Sequence, residues 1–205
     1  MILYSFPGTC AFASHVALEY AGADYEVRNV DFRSNGQKSH EYLQINPKAR
    51  VPSLVTDDGV LTETPAILAY IAGAHPESKL APLNEPWMLA QVHSFNSYMC
   101  ATVHVAHAHK YRGSRWATHQ ASFDDMFAKV PETMAACFDL IERDLLKGPW
   151  VLGDTFSISD IYLLTIARWL EGDGVNLTTL PRVADHRARM LAMPAVEHVI
   201  GVDAA

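Results

Sequence analysis

Cysteine is scarce in this chain: its 205 residues hold three, Cys10, Cys100 and Cys137. An odd count without paired spacing excludes a disulfide framework and points to a reducing, cytoplasmic setting. Positive charge is also short, since 16 Lys and Arg face 23 Asp and Glu for a net charge of -7. No global field attracts nucleic acid or an anionic membrane, so neither is expected as a partner. No apolar run approaches the roughly 18 residues of a membrane span. The apolar start Met1-Ile2-Leu3-Tyr4-Ser5-Phe6 stops at Pro7-Gly8. A secretory leader starts basic and keeps roughly 7–15 apolar residues, so no leader is expected. Internal repeats and low-complexity segments are missing as well. Asn176-Leu177-Thr178 fits a glycosylation sequon, but a cytoplasmic chain does not meet that machinery.

What is present is ordinary globular material, 49% hydrophobic and 19% charged. A chain of this length buries a core as one large domain or two small ones, without metal or disulfide staples. The first part alternates strand and helix signals. Ile2–Phe6 reads as a strand ended by Pro7-Gly8-Thr9, and Ala11–Ala21 as a helix with Phe12, Val16 and Tyr20 on one face and Gly22 as its stop. Tyr25–Val30 is a second strand, Glu41–Ile45 a helical turn, and Ser53–Thr56 a third strand. Asp57-Asp58-Gly59 turns into Val60-Leu61-Thr62, and Thr64–Gly73 is a helix with Pro65 in its first turn. A β-α-β start implies a parallel pair and the hairpin an antiparallel one, which makes a mixed sheet in an α+β unit.

Residues 78–85 read as a linker, after which the strand signals stop and four helical patterns follow, the last ending before Pro194. Pro86–Arg112 is one long pattern with Val92, Phe95, Met99, Val103 and Ala106 on one face. Phe123–Leu146 is another, with Pro131 as a kink or restart, and Arg182–Ala192 comes after Pro181. Between them, Ser157–Leu170 starts sharply, because Ser157 and Asp160 fit a capping box and Phe156 with Ile161 a hydrophobic staple. The expected organisation is an α+β domain over 1–77 and an all-helical domain over 86–205.

Cys10 carries the clearest chemical signal. It lies just after a strand and a Pro-Gly-Thr turn and opens a helix, where orphan N–H groups and the helix dipole favour a thiolate. Its pKa is expected below the free-cysteine value of about 8.5. Cys100 and Cys137 lie inside helical patterns and lack that setting. Cys10 has no second cysteine nearby, which excludes an internal dithiol couple. Val51-Pro52 opens a strand after a loop and is compatible with a cis or a trans bond. Glu63-Thr64-Pro65 precedes a helix. Either Glu63 accepts a bond from a ligand ammonium beside a carboxylate site, or Glu63 or Thr64 simply caps the helix.

Together these elements resemble the glutathione transferase superfamily, most closely its bacterial beta class. The resemblance is carried by Tyr4-Ser5-Phe6-Pro7-Gly8-Thr9-Cys10, Asn46-Pro47-Lys48-Ala49-Arg50-Val51-Pro52, Leu61-Thr62-Glu63-Thr64-Pro65-Ala66-Ile67 and Gly153-Asp154-Thr155-Phe156-Ser157-Ile158-Ser159-Asp160, and it covers nearly the whole chain. It implies a thioredoxin-like domain with a four-stranded mixed sheet, an all-α domain, a cytoplasmic homodimer and glutathione as co-substrate. It implies further that Val51 pairs its backbone with the cysteinyl part of glutathione, that Pro52 is cis, and that Glu63 and Thr64 hold the γ-glutamyl end. Phe32, Asn35 and Ser97 fall at the family's remaining glutathione positions.

The same resemblance places a histidine on the first long helix of the second domain. His104, His107 and His109 crowd it; His104 matches best by spacing, in an i, i+4 row with Ser97, Ala101 and Ala108. His107 shares that face. His104 and His107 offer two ligands where zinc wants three or four, and no neighbouring carboxylate completes a motif, so no metal is expected. Ser5, Ala11, Asn35 and Val105 depart from the beta pattern, the last two by removing cations; Arg33, Arg50 and Lys110 are the candidate substitutes for the glycyl carboxylate. The implied activity is conjugation of glutathione to small electrophiles, or thiol–disulfide exchange, through Cys10 and His104. The rivals are a glutathione-dependent isomerase or dehalogenase, and a non-catalytic binding protein on the same fold.

Overall fold

The computed structural model describes residues 1–204. The chain divides into two compact units, Met1–Leu89 with Met190–Ala205, and Ala90–Arg189.

In the first unit, β1 (Ile2–Ser5) runs parallel to β2 (Glu26–Asn29) and antiparallel to β3 (Ser53–Thr56), and β4 (Gly59–Thr62) pairs antiparallel with β3. The order β2-β1-β3-β4 is the four-stranded mixed sheet expected of a thioredoxin-like domain. Leu3 faces Val27 on one neighbour and Leu54 on the other, and is fully buried. Thr56 pairs with Gly59, so Asp57 and Asp58 make the turn.

Helix α1 (Ala11–Tyr20) was expected to bury one face. Instead every residue from Ala11 to Leu18 is buried, Ser14 and His15 included. Its neighbours explain this: α3 (Thr64–Ala74) packs on α1, and so does the terminal helix α9 (Pro194–Ala204). Helix α9 was not anticipated, although Pro194 at its first position is a recognisable start. Gly22 does end α1: with φ at 63°, it lets its own N–H reach Glu19 O and that of Ala23 reach Leu18 O. On the sheet's other face, by the two-residue period, Tyr4 meets Tyr42 of α2 (His40–Ile45) with ring centroids 5.6 Å apart.

In the second unit, α4 (Pro86–Tyr98) buries Val92 and Phe95, and the apolar stripe continues as expected through Met99, Val103 and Ala106. The helix is not continuous to Arg112, however. It widens into a π turn at Met99–Val103 and resumes as α5 (His104–Ala108). A π turn inserts an extra residue per turn and rotates the helical residues beyond it. Ser97, Ala101, His104 and Ala108 therefore do not form one row: Ser97 and Ala101 are exposed, while Ala108 is buried.

Helix α6 (Gln120–Leu140) runs straight through Pro131, which neither ends nor restarts it. The missing N–H leaves only the Phe127 carbonyl without its helical donor, and Phe127 lies on an exposed side. The proline ring packs on Gly174, whose φ is 81° and where an added Cβ would lie 3.1 Å from Pro131 Cγ. Helix α7 (Ile158–Ala167) is buried from end to end and carries the expected capping box. Asp160 accepts from Ser157 N at 2.8 Å, from Val151 N at 2.8 Å and pairs with His186 Nε2 at 3.0 Å on α8 (Pro181–Leu191). Among the described residues no helix is long and apolar enough to cross a membrane.

Candidate active site

The turn before α1 is built by Thr9. Its hydroxyl donates to Phe6 O at 2.7 Å and accepts from Ala11 N at 3.3 Å, and its carbonyl accepts from Phe12 N at 3.2 Å. Gly8 takes a φ of 77° within this turn, a conformation that glycine adopts at little cost. Cys10 is thereby fixed with helical dihedrals at the first turn of α1, half-buried. Its thiol donates to Val51 O, with sulfur and oxygen 3.6 Å apart.

Val51 is held in place by a buried clamp. Asn46 Nδ2 donates to Arg50 O at 2.8 Å and to Ser53 Oγ at 3.0 Å, and Tyr42 Oη donates to Arg50 O at 2.6 Å. Asn46 Oδ1 accepts from Lys48 N at 3.1 Å. Asn46, Ser53 and Tyr42 are all buried, so the loop between them has little freedom. The Val51–Pro52 bond is cis. Val51 joins Ala11, Val30 and Tyr42 in one apolar cluster, against which Phe6 and Phe32 pack, their rings 5.3 Å apart. Asn35 has a φ of 58° and is exposed beyond Phe32.

Glu63 stands before α3 with φ at 73°, and its side chain does not cap the helix. That removes the capping reading. Its carboxylate instead pairs with Lys48 Nζ at 2.7 Å, and Lys48 also donates to Thr62 Oγ1 at 2.8 Å. Thr64 is buried at the helix start. Cys10, Val51, Pro52 and Phe32 are thus brought together by one cluster and its adjoining turn, and Glu63 is tied to the same loop through Lys48. Sequence reading alone misses Lys48, Asn46 and Tyr42 as supports; the Asn-Pro dipeptide is the available signal for the clamp.

Ser97 and His104 lie in the second unit. His104 is half-buried, its ring centroid 5.3 Å from that of Trp169. His107 stacks on the same indole at 4.2 Å, with the planes 24° apart. His107 Nδ1 lies 2.6 Å from Asp173 Oδ2, and Lys110 Nζ lies 3.1 Å from Asp173 Oδ1 and also donates to Gly172 O. Asp173 is buried. Lys110 is therefore engaged and is not a spare cation for a ligand, contrary to its place among the candidates; Arg33 and Arg50 are exposed. His109 packs edge-on against Trp116 at 4.5 Å. No cluster of three or more metal-ligating side chains occurs among the described residues. Burial pushes the Cys137 thiol up from its ordinary pKa, which disfavours its thiolate.

Residues 1–73 match the glutathione S-transferase N-terminal domain, and residues 120–189 match the glutathione S-transferase C-terminal domain. A solved glutathione transferase homologue from Sulfitobacter is 46% identical over 98% of this chain and 97% of its own, with a TM-score of 0.95. The chain belongs to the glutathione transferase family. This transferase is also 29% identical to glutathione S-transferase GstA of Escherichia coli O157:H7 over 99% of the chain and 98% of the relative. The beta-class glutathione S-transferase of Sphingomonas chungbukensis superposes with a TM-score of 0.87 at 27% identity, over 99% of this chain and 98% of that one. In this transferase the four motifs fall on the Cys10 turn, the Val51 clamp, the start of α3 and the start of α7.

Proposed function

We propose that this transferase binds glutathione on its first unit and acts on it through Cys10. The observation that carries the reading is the Cys10 thiol, held at the first turn of α1 and 3.6 Å from the Val51 carbonyl. A tripeptide laid along that edge pairs its backbone with Val51 beside Pro52. Its γ-glutamyl ammonium meets Glu63 and its carboxylate the N-terminus of α3 at Thr64. Phe32 and Asn35 flank the glycyl end. Ser97 and His104 of the second unit are the remaining candidates, Ser97 for a polar contact with glutathione and His104 for proton transfer. The bound glutathione described for the Sulfitobacter relative supports this reading.

The second substrate is a small electrophile or a disulfide, and the working form is a cytoplasmic homodimer. Calorimetric titration with glutathione, together with turnover of an aryl halide, tests the proposal. Saturable binding with consumption of glutathione is the expected result. Turnover that returns glutathione unchanged identifies an isomerase, and absence of binding leaves only an interaction module. Sedimentation equilibrium at micromolar concentration tests the dimer, and a monomer overturns it.

A further inference from the structure

Lys48 and Glu63, both in the first unit, form an ion pair that is incomplete on each side. Glu63 follows β4 and starts α3: its carbonyl accepts from Ile67 N at 3.0 Å, while its side chain makes no capping bond. Lys48 stands on the loop pinned by Asn46, whose Oδ1 accepts from Lys48 N. Lys48 Nζ bridges from that loop to the end of β4, donating to Glu63 Oε1 at 2.7 Å and to Thr62 Oγ1 at 2.8 Å. A lysine ammonium has three N–H donors, so one is left over. Glu63 Oε2 accepts from no described residue. The two side chains are 47% and 50% exposed, so both remaining groups open to solvent.

A positively charged donor beside a negatively charged acceptor complements the end of an α-amino acid, where ammonium and carboxylate share one carbon. We propose that Lys48 and Glu63 together read the zwitterionic γ-glutamyl end of glutathione, Glu63 Oε2 accepting from its ammonium and Lys48 Nζ donating to its carboxylate. The proposal rests on the glutathione reading above and adds Lys48 to it as a specificity-determining residue, alongside the N-terminus of α3. Neither bond requires the Lys48–Glu63 pair to break. Lys48, Glu63, the ammonium and the carboxylate then alternate in sign, so each charge has opposite neighbours. A ligand with the ammonium alone would crowd two cations on Glu63, and one with the carboxylate alone would crowd two anions on Lys48. Either is disfavoured against the zwitterion. An exposed pair holds its two heads loosely, so they adjust to the ligand at little cost.

The test is calorimetric titration of the wild type, K48M, K48Q and K48R with two ligands. One is glutathione; the other is 4-aminobutyryl-cysteinylglycine, which keeps the ammonium and lacks the adjacent carboxylate. K48M and K48Q should each weaken glutathione about fivefold, the upper range for an exposed charge pair. Both should bind the analogue no more weakly than the wild type does, because a cation next to its ammonium has been removed. K48R keeps a cationic donor and should bind glutathione more tightly than K48M. Thermal melts that match the wild type confirm that the variants are folded. Equal losses for the two ligands would mean that Lys48 only steadies Glu63, and they overturn the proposal. Glutathione binding that is unchanged or tighter in K48M and K48Q overturns it too, since tighter binding marks a lysine that competes with the ammonium. A wild type that binds no glutathione refutes the glutathione reading and this proposal with it, whereas a wild type that binds while K48M loses nothing refutes the proposal alone.

Discussion

The sulfur of Cys10 donates to the carbonyl oxygen of Val51, 41 residues further along the chain. Two influences meet at that thiol. The positive end of the α1 dipole favours the thiolate, while the Val51 carbonyl accepts from S–H and favours the thiol. A ligand whose backbone engages Val51 displaces the second influence and leaves the first. Alkylation with iodoacetamide, read by intact mass, should therefore show one thiol reacting about tenfold or more faster than the others. It should be lost in Cys10→Ser. Cys100 or Cys137 reacting first would remove Cys10 from the chemistry.

Glu63 is the next point of test. Its strained backbone and its unsatisfied role as a cap leave the carboxylate available for a cation, a role that Lys48 fills at 2.7 Å. Glu63→Ala should weaken glutathione binding by about 1–3 kcal/mol, the range for lost charge-assisted bonds. Calorimetry that finds wild-type affinity in the variant would take Glu63 out of the site.

Asn46 should matter for stability as much as for binding. Asn46→Ala strips the Arg50 carbonyl of one donor and buried Ser53 of one partner, and frees the loop that fixes Val51. These lost buried bonds should cost about 2–3 kcal/mol. Urea unfolding measures it, and a shift under about 0.5 kcal/mol, the usual effect of a surface change, would mean that the clamp does not hold the loop.

Stability should also depend on pH through His15. Burial lowers its pKa from 6.5 to about 4, and the ring packs edge-on against Tyr25 with Asp203 of α9 4.0 Å away. The folded state binds fewer protons than the unfolded chain between those values. The contribution is therefore fully present above pH 6.5 and is lost as pH falls toward 4. Its size is about 3 kcal/mol at most. Thermal melts from pH 7 down to pH 4 should show a falling Tm in the wild type and a flatter profile in His15→Gln; parallel profiles would show that His15 is not the titrating group.

Much of the first unit and the start of α7 can be read from the sequence because their signals are local. The Pro-Gly-Thr turn, the Gly22 stop, the Asp57-Asp58 hairpin and the Ser157–Asp160 capping box each act within a few residues, through dihedral preference and short-range hydrogen bonds. The candidate residues Cys10, Val51, Glu63 and Thr64 are visible for the same reason: each sits at a turn or a helix start. The partner of each is not visible in the sequence. Lys48 reaches Glu63 across 15 residues, and Asp173 meets His107 across 66. No periodicity or spacing rule links positions so far apart. The π turn at Met99–Val103 also leaves no mark in the apolar pattern, which it preserves while turning Ser97 and His104 out of a common row. Helix α1 shows the same limit. Its composition suggests one buried face, and it is enclosed because α3 and α9, distant in the chain, pack against it. Local preference set where the elements of this transferase begin and end. Packing between distant segments decided which side chains meet, since that depends on the volume and shape of surfaces that exist only once the chain has folded.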